Sequence, residues 1–162
     1  MNYLKFSWDS VEKITDDVYH EIVKSYLPNY IISIGRGGLV PARILADRFN
    51  INDISIIDVK LYDDVHKQKN TIIIKPFNEN IENKHVLLVD DICDSGLTIQ
   101  NTIPILRTKK IMDLRTITLF CRESSPIKPS FVGKIVGKEW VIFPWEKNEF
   151  KHLTKEISNN EK

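Results

Sequence analysis

Three carboxylates, Asp90, Asp91 and Asp94, follow the apolar run His85 to Val89 and lead directly into Ser95-Gly96-Leu97-Thr98. A small-residue turn that opens a helix directs backbone N–H groups outward, the helix dipole favours negative charge there, and the two hydroxyls add donors. Such a turn is a phosphate cradle. Carboxylates beside it would repel a phosphate unless hydroxyl groups donate to them or a Mg2+ ion is shared with the ligand's phosphates. A sugar phosphate carrying Mg2+ meets both conditions. A lone Asp before a helix is usually only a cap, but three acids with Ser-Gly-x-Thr exceed what capping needs. Gly35-Arg36-Gly37-Gly38 adds glycines that let a ligand approach the backbone and a guanidinium suited to phosphate oxygens. Taken alone, those glycines could serve only to reverse the chain.

Arg122 ends a further apolar run and by itself reads as a surface cation. Trp140-Val141-Ile142-Phe143-Pro144-Trp145 is a dense aromatic stretch, commonly core, although a Trp beside a crevice can stack a planar base. His20, His66, His85 and His152 share no metal-binding spacing, and Cys93 and Cys121 form no CxxC pair. Cys93 has carboxylates nearby and no His, which does not favour a thiolate. Neither thiol catalysis nor a metal cage built by the protein alone is expected.

These residues must be held by elements that the apolar pattern outlines. From Asp9 onward Val11, Ile14, Val18, Ile22 and Tyr26 recur at helical steps, with Glu12 completing a capping box, so an amphipathic helix should run from Asp9 to before Pro28. Tyr30 to Ile34, Ile54 to Val59, His85 to Val89 and Thr116 to Cys121 read as strands covered on both faces. Helices are expected over Leu39 to Phe49 and Leu97 to Lys110. Thr71 to Lys75 looks like an extra strand, whereas Tyr62 to Asn70 is charged and aperiodic and reads as a mobile loop, either a lid or merely solvated. The alternation predicts an α/β fold, a mainly parallel sheet flanked by helices. Ligands of such sheets bind beyond the carboxyl ends of the strands, which would gather the polar segments after the four strands on one solvent-facing rim.

The 162 residues fit one domain of roughly 100–200 residues, with no linker or repeat inside. With 23 basic against 22 acidic residues the net charge is +1, so no uniform positive field suggests nucleic acid or an anionic membrane as partner. No apolar run approaches a signal peptide or the ~20 residues of a membrane span, and the reduced cysteines agree with a cytoplasmic location.

The segment His85 to Thr98, an apolar strand, two acids and a Ser-Gly-x-Thr loop, resembles the signature of the type I phosphoribosyltransferases. Ile34 to Pro41 is similar to the diphosphate loop of the purine branch, the xanthine-guanine and hypoxanthine-guanine enzymes, and Trp140 to Glu146 to its purine-holding hood. The resemblance implies a single phosphoribosyltransferase domain over 1–162 with a small C-terminal hood at about 131–150. It implies transfer of 5-phosphoribosyl from 5-phosphoribosyl 1-diphosphate to N9 of guanine, xanthine or hypoxanthine. Asp90 and Asp91 would bind the ribose hydroxyls and help place Mg2+, and Asp94 would be the acid/base group near purine N7. Asp94, Ser95, Gly96, Leu97 and Thr98 would hold the 5′-phosphate, and Arg36, Gly37 and Gly38 the diphosphate. Trp140 would stack on the base, the Val141 backbone would read its edge, and Arg122 stands where the family usually has Lys to donate to the C6 oxygen. A cis Gly35-Arg36 peptide and a homodimer or homotetramer are also implied.

The alternative is a non-catalytic regulator of the same fold that senses the diphosphate donor; a nucleic-acid-binding version would need a basic face or an added domain. A response-regulator receiver would place its acid pair after the first strand, a DxD phosphatase needs a spacer between Asp90 and Asp91, and no GxxxxGK(S/T) indicates a P-loop.

Overall fold

The computed structural model describes residues 2–64, 69–148 and 150, and within 60–73 only the backbone course of the strands. The elements run β1 (Tyr3–Lys5), α1 (Trp8–Ile22), β2 (Tyr30–Gly35), α2 (Leu39–Phe49), β3 (Ile54–Asp64), β4 (Lys69–Ile74), β5 (His85–Cys93), α3 (Leu97–Arg107), β6 (Asp113–Arg122), β7 (Phe131–Val136) and β8 (Trp140–Ile142), followed by a 3-10 turn at Pro144–Glu146. Among the described residues six strands form one sheet in the order β4-β3-β2-β5-β6-β7, parallel throughout except for β4, which runs antiparallel to β3. The expected parallel α/β architecture is therefore present.

The sheet is buried on both faces, which is why its central strands read as unbroken apolar runs. On one face Val11, Val18 and Ile22 of α1 and Ala42, Leu45 and Ala46 of α2 pack on Ile31, Leu87, Val89, Ile117 and Leu119. On the other, Ile99 and Leu106 of α3 pack on Ile32, Ile34, Leu88 and Cys121. Alternate residues of each strand thus serve opposite cores.

Several boundaries differ from the sequence reading. The first helix is capped by Ser7, whose hydroxyl accepts from the Ser10 N–H at 3.1 Å, and not by Asp9; it ends at Ile22, well before Pro28. β3 and β4 form a hairpin through Asp64 and Lys69, so Tyr62 to Asp64 and Lys69 to Asn70 are strand and not loop. Antiparallel pairing satisfies their backbone groups without an apolar pattern. Residues 65–68, the remainder of the expected loop, lie outside the described residues. The expected hood is divided: β7 closes the edge of the main sheet, and β8 pairs in parallel with β1, bringing Tyr3 opposite Trp140. Among the described residues no helix is long and apolar enough to cross a membrane.

Candidate active site

β2 and β5 are neighbours, with β3 beyond one and β6 beyond the other, so the connections diverge at the β2/β5 boundary. In open α/β sheets this switch point is where the crevice opens. The Gly35–Gly38 turn leaves β2 there, and the turn through Asp94 to Gly96 leaves β5.

A cleft of about 350 Å³ occupies the position, with Arg36, Gly37, Asp90, Asp91, Thr98 and Glu146 in its wall. Beside it a hollow of about 160 Å³ is lined by Asp91, Asp94, Arg122, Trp140, Val141 and Glu146. Asp91 and Glu146 face both. Of the residues expected from sequence, Gly38, Ser95, Gly96 and Leu97 line neither cavity. Ser95 and Gly96 shape the turn: the Ser95 hydroxyl accepts from the Leu97 N–H at 3.4 Å, and Gly96 precedes α3 at φ 77°, a left-handed conformation that favours glycine. The Gly35-Arg36 peptide is cis.

Gly37 and Gly38 hold the first turn for different reasons. A Cβ on Gly38 would collide with the Val89 and Ile34 carbonyl oxygens, which belong to the sheet and cannot yield. A Cβ on Gly37 would collide with the Asp91 carboxylate. Gly38→Ala should therefore lower stability by about 1–3 kcal/mol, whereas Gly37→Ala should displace Asp91 and depress activity with a smaller change in melting temperature. Thermal unfolding of both variants beside their turnover checks this; equal destabilisation would count against the distinction.

β5 continues through Asp90 and Asp91 to Cys93, so the acid pair is strand and not rim. Asp90 is only 9% exposed, which corrects the expectation that both acids face solvent. Burial and the charge of Asp91 hold the Asp90 carboxyl well above the usual carboxylate range. Burial, then the nearby Glu146 charge, pushes Asp91 up to about 6, against hydrogen bonds that favour its charged form, including the Ile92 N–H at 2.7 Å. A carboxyl raised on folding stabilises the fold below its unfolded pKa and loses that contribution as pH rises through the folded value. For Asp91 the interval runs from 3.8 to about 6. The melting temperature of the ligand-free protein should accordingly fall behind that of Asp91→Asn across this interval; a constant difference from acid to neutral pH contradicts it.

Arg122 is also buried, contrary to its reading as a surface cation. Its Nε donates to Asp94 Oδ1 at 3.2 Å, and its Nη1 donates to the carbonyl oxygens of Gly137, at 2.8 Å, and Glu139. The side chain thus ties β6 to the segment before Trp140 and orients the largely exposed Asp94 carboxylate. Burial pushes the Cys93 thiol up to about 11, far from a reactive thiolate.

Sequence reasoning assigned no role to Glu146. It follows the aromatic stretch, in which Phe143 and Trp145 stack at 4.6 Å between ring centroids, and its carboxylate accepts from the Phe143 N–H at 3.1 Å. The available signal was an acid ending an otherwise apolar segment.

A largely parallel sheet with a buried acid at its switch point, beside a small-residue turn that opens a helix, is the arrangement in which such folds bind phosphorylated small molecules. The phosphoribosyl transferase domain model matches residues 7–152, and the chain belongs to that family, as the His85 to Thr98 resemblance implied. The chain is 30% identical over 144 residues to the xanthine-guanine phosphoribosyltransferase of Desulfotalea psychrophila, spanning 86% of this chain and 84% of that one. Identity to the hypoxanthine-guanine phosphoribosyltransferase of Staphylococcus aureus is 26%, over 83% and 79% of the two chains. The purine phosphoribosyltransferase of Pyrococcus horikoshii superposes with a TM-score of 0.79 at 25% identity, covering 90% of this chain and 95% of that one.

Proposed function

We propose that this protein transfers the 5-phosphoribosyl group of 5-phosphoribosyl 1-diphosphate to N9 of a 6-oxopurine, releasing diphosphate, as a purine-salvage glycosyltransferase. The observation that carries the reading is the pair of adjoining cavities sharing Asp91 and Glu146: an anion-binding cleft for the donor and an aromatic-edged hollow for the base. The relatives named above act on purines, which supports the same substrate class.

In the reaction the bond from C1′ to the diphosphate oxygen breaks as the bond from C1′ to N9 forms. Sugar charge develops between the two, and the purine's N7 proton passes to Asp94, the catalytic base. Asp90 and Asp91 bind the ribose hydroxyls. The turn from Asp94 through Ser95, Gly96 and Leu97 to Thr98 holds the 5′-phosphate, and Arg36, Gly37 and Gly38 take the diphosphate. Trp140 stacks on the base, the Val141 backbone reads its edge, and Arg122 donates to the C6 oxygen. Such a transfer needs positioning, charge stabilisation and water exclusion more than it needs a nucleophile.

Among the described residues no cluster of three or more acids, histidines or cysteines could hold a metal by itself. Carboxyls raised by burial and by a neighbouring acid charge, Asp91 for Asp90 and Glu146 for Asp91, still suit a divalent cation shared with the ligand, so Asp90 and Asp91 would hold Mg2+ largely through substrate and water. When bound, the ion neutralises diphosphate charge. The protein is further read as a single-domain cytoplasmic homodimer or homotetramer: its length underlies the single domain, its apolar pattern and cysteines the location, and the family resemblance the assembly.

Diphosphate release tests the proposal against the donor-sensing alternative. Release that begins only when guanine, xanthine or hypoxanthine is added to protein, donor and Mg2+ supports transfer. Donor binding with no release in the presence of any base supports the regulator.

A further inference from the structure

Thr118 lies on β6, fully buried, and among the described residues its hydroxyl has no hydrogen-bond partner. A buried hydroxyl without a partner is destabilising, and a native chain that retains one commonly uses it in another state. Its neighbours across the sheet indicate which state. Thr118 pairs in register with Asp90 on β5 and with Val132 on β7, and paired residues of parallel strands project to the same face. That face is the apolar one beneath α3, where Ile99, Cys121 and Val132 pack. The hydroxyl therefore stands beside a carboxyl on one side and a hydrocarbon on the other. Asp90 Oδ1 already accepts from the Asp91 N–H at 3.0 Å, but an ionised carboxylate offers about four acceptor sites.

We infer that Thr118 is a positioning residue for the phosphoribosyl donor: when the donor and Mg2+ engage Asp90, the Thr118 hydroxyl donates to the inner face of that carboxylate and fixes its orientation. The inference rests on the reading proposed above. Thr118 lines neither cavity of the site, so it acts on the donor only through Asp90. In the free protein the same hydroxyl only adds an unpaired polar atom.

The two states make opposite demands, and Thr118→Val separates them because valine keeps the shape and loses the hydroxyl. In the ligand-free protein Thr118→Val should melt at the parent temperature or above it. Its Kd for 5-phosphoribosyl 1-diphosphate with Mg2+, and its KM for that donor, should rise about tenfold, while the KM for the purine stays within about twofold. Thr118→Ser, which retains the hydroxyl, should bring the donor affinity back. A Thr118→Val protein that melts lower and binds the donor normally would give Thr118 a structural role and overturn the inference, as would failure of Thr118→Ser to recover affinity. A parent protein that binds no donor would instead overturn the functional reading, and the inference with it.

Discussion

Replacing Asp90 and Asp91 together by asparagine should lower turnover by about 10²–10⁴-fold, the loss expected when two charge-assisted contacts of about 1.5–3 kcal/mol each are removed from the reacting complex. The variant should nevertheless fold. Asp90 is buried and held well above the usual carboxylate range, and Asp91 is raised to about 6, so at neutral pH both acids work against the ligand-free fold. Asparagine relieves that strain while keeping the shape. Melting temperature at pH 7 should be unchanged or higher, and saturating donor with Mg2+ should protect the parent far more than the variant. Near-normal turnover of the double variant with Mg2+ would reject the assignment of the acid pair; a collapse of the fold would show that the acids are structural.

Arg122 should govern the choice of base. Trp140 can stack on any purine, so stacking supplies affinity without selecting. Selection falls to the edge, where a guanidinium carries only donors: these match the C6 oxygen of guanine, xanthine or hypoxanthine and oppose the C6 amino group of adenine. A site built around a buried polar partner rejects a mismatched analogue strongly. The parent should use 6-oxopurines well and adenine poorly, and Arg122→Met should erode the preference by about 10–100-fold. Because Nη1 also holds the Gly137 and Glu139 carbonyls, Arg122→Met should raise the base KM as the segment before Trp140 loosens. Arg122→Lys, with one donor group and no planar fork, cannot reproduce the full set of contacts and should discriminate to an intermediate degree. Donor affinity should be largely intact in both variants. Preference of the parent for adenine, or full discrimination by Arg122→Met, would sink this role.

The acid pair and the turn after it are legible in the sequence because they are consecutive. Asp90, Asp91 and the Ser95 to Thr98 turn occupy one short segment, and the apolar run before them announces the strand that delivers them. What the sequence did not reveal depends on contacts between distant segments. Glu146 gains its place only because the turn after β8 brings it to Asp91, and β1 exists only as the partner of β8. Arg122 reads as a surface cation until Gly137 and Glu139 fold over it. Asp90 reads as exposed because acids commonly end strands, yet β5 runs on to Cys93 and draws it inside. The β3–β4 hairpin escaped the apolar pattern because backbone pairing extends it to Asp64 and Lys69. Ser7 outcompeted Asp9 as the helix cap, a local choice that either residue type could have filled.

The central claim is that the two adjoining cavities bring a phosphoribosyl donor and a 6-oxopurine together for transfer at C1′. Identifying the product tests it most directly: protein, 5-phosphoribosyl 1-diphosphate, Mg2+ and guanine are incubated, and the nucleotide fraction is resolved by mass and by the carbon–nitrogen connectivity seen in NMR. The expected products are the N9-linked purine ribonucleoside 5′-monophosphate and diphosphate in equal amounts, with guanine consumed to match. Recovery of unreacted guanine together with intact donor, or with free ribose 5-phosphate and diphosphate, would contradict it.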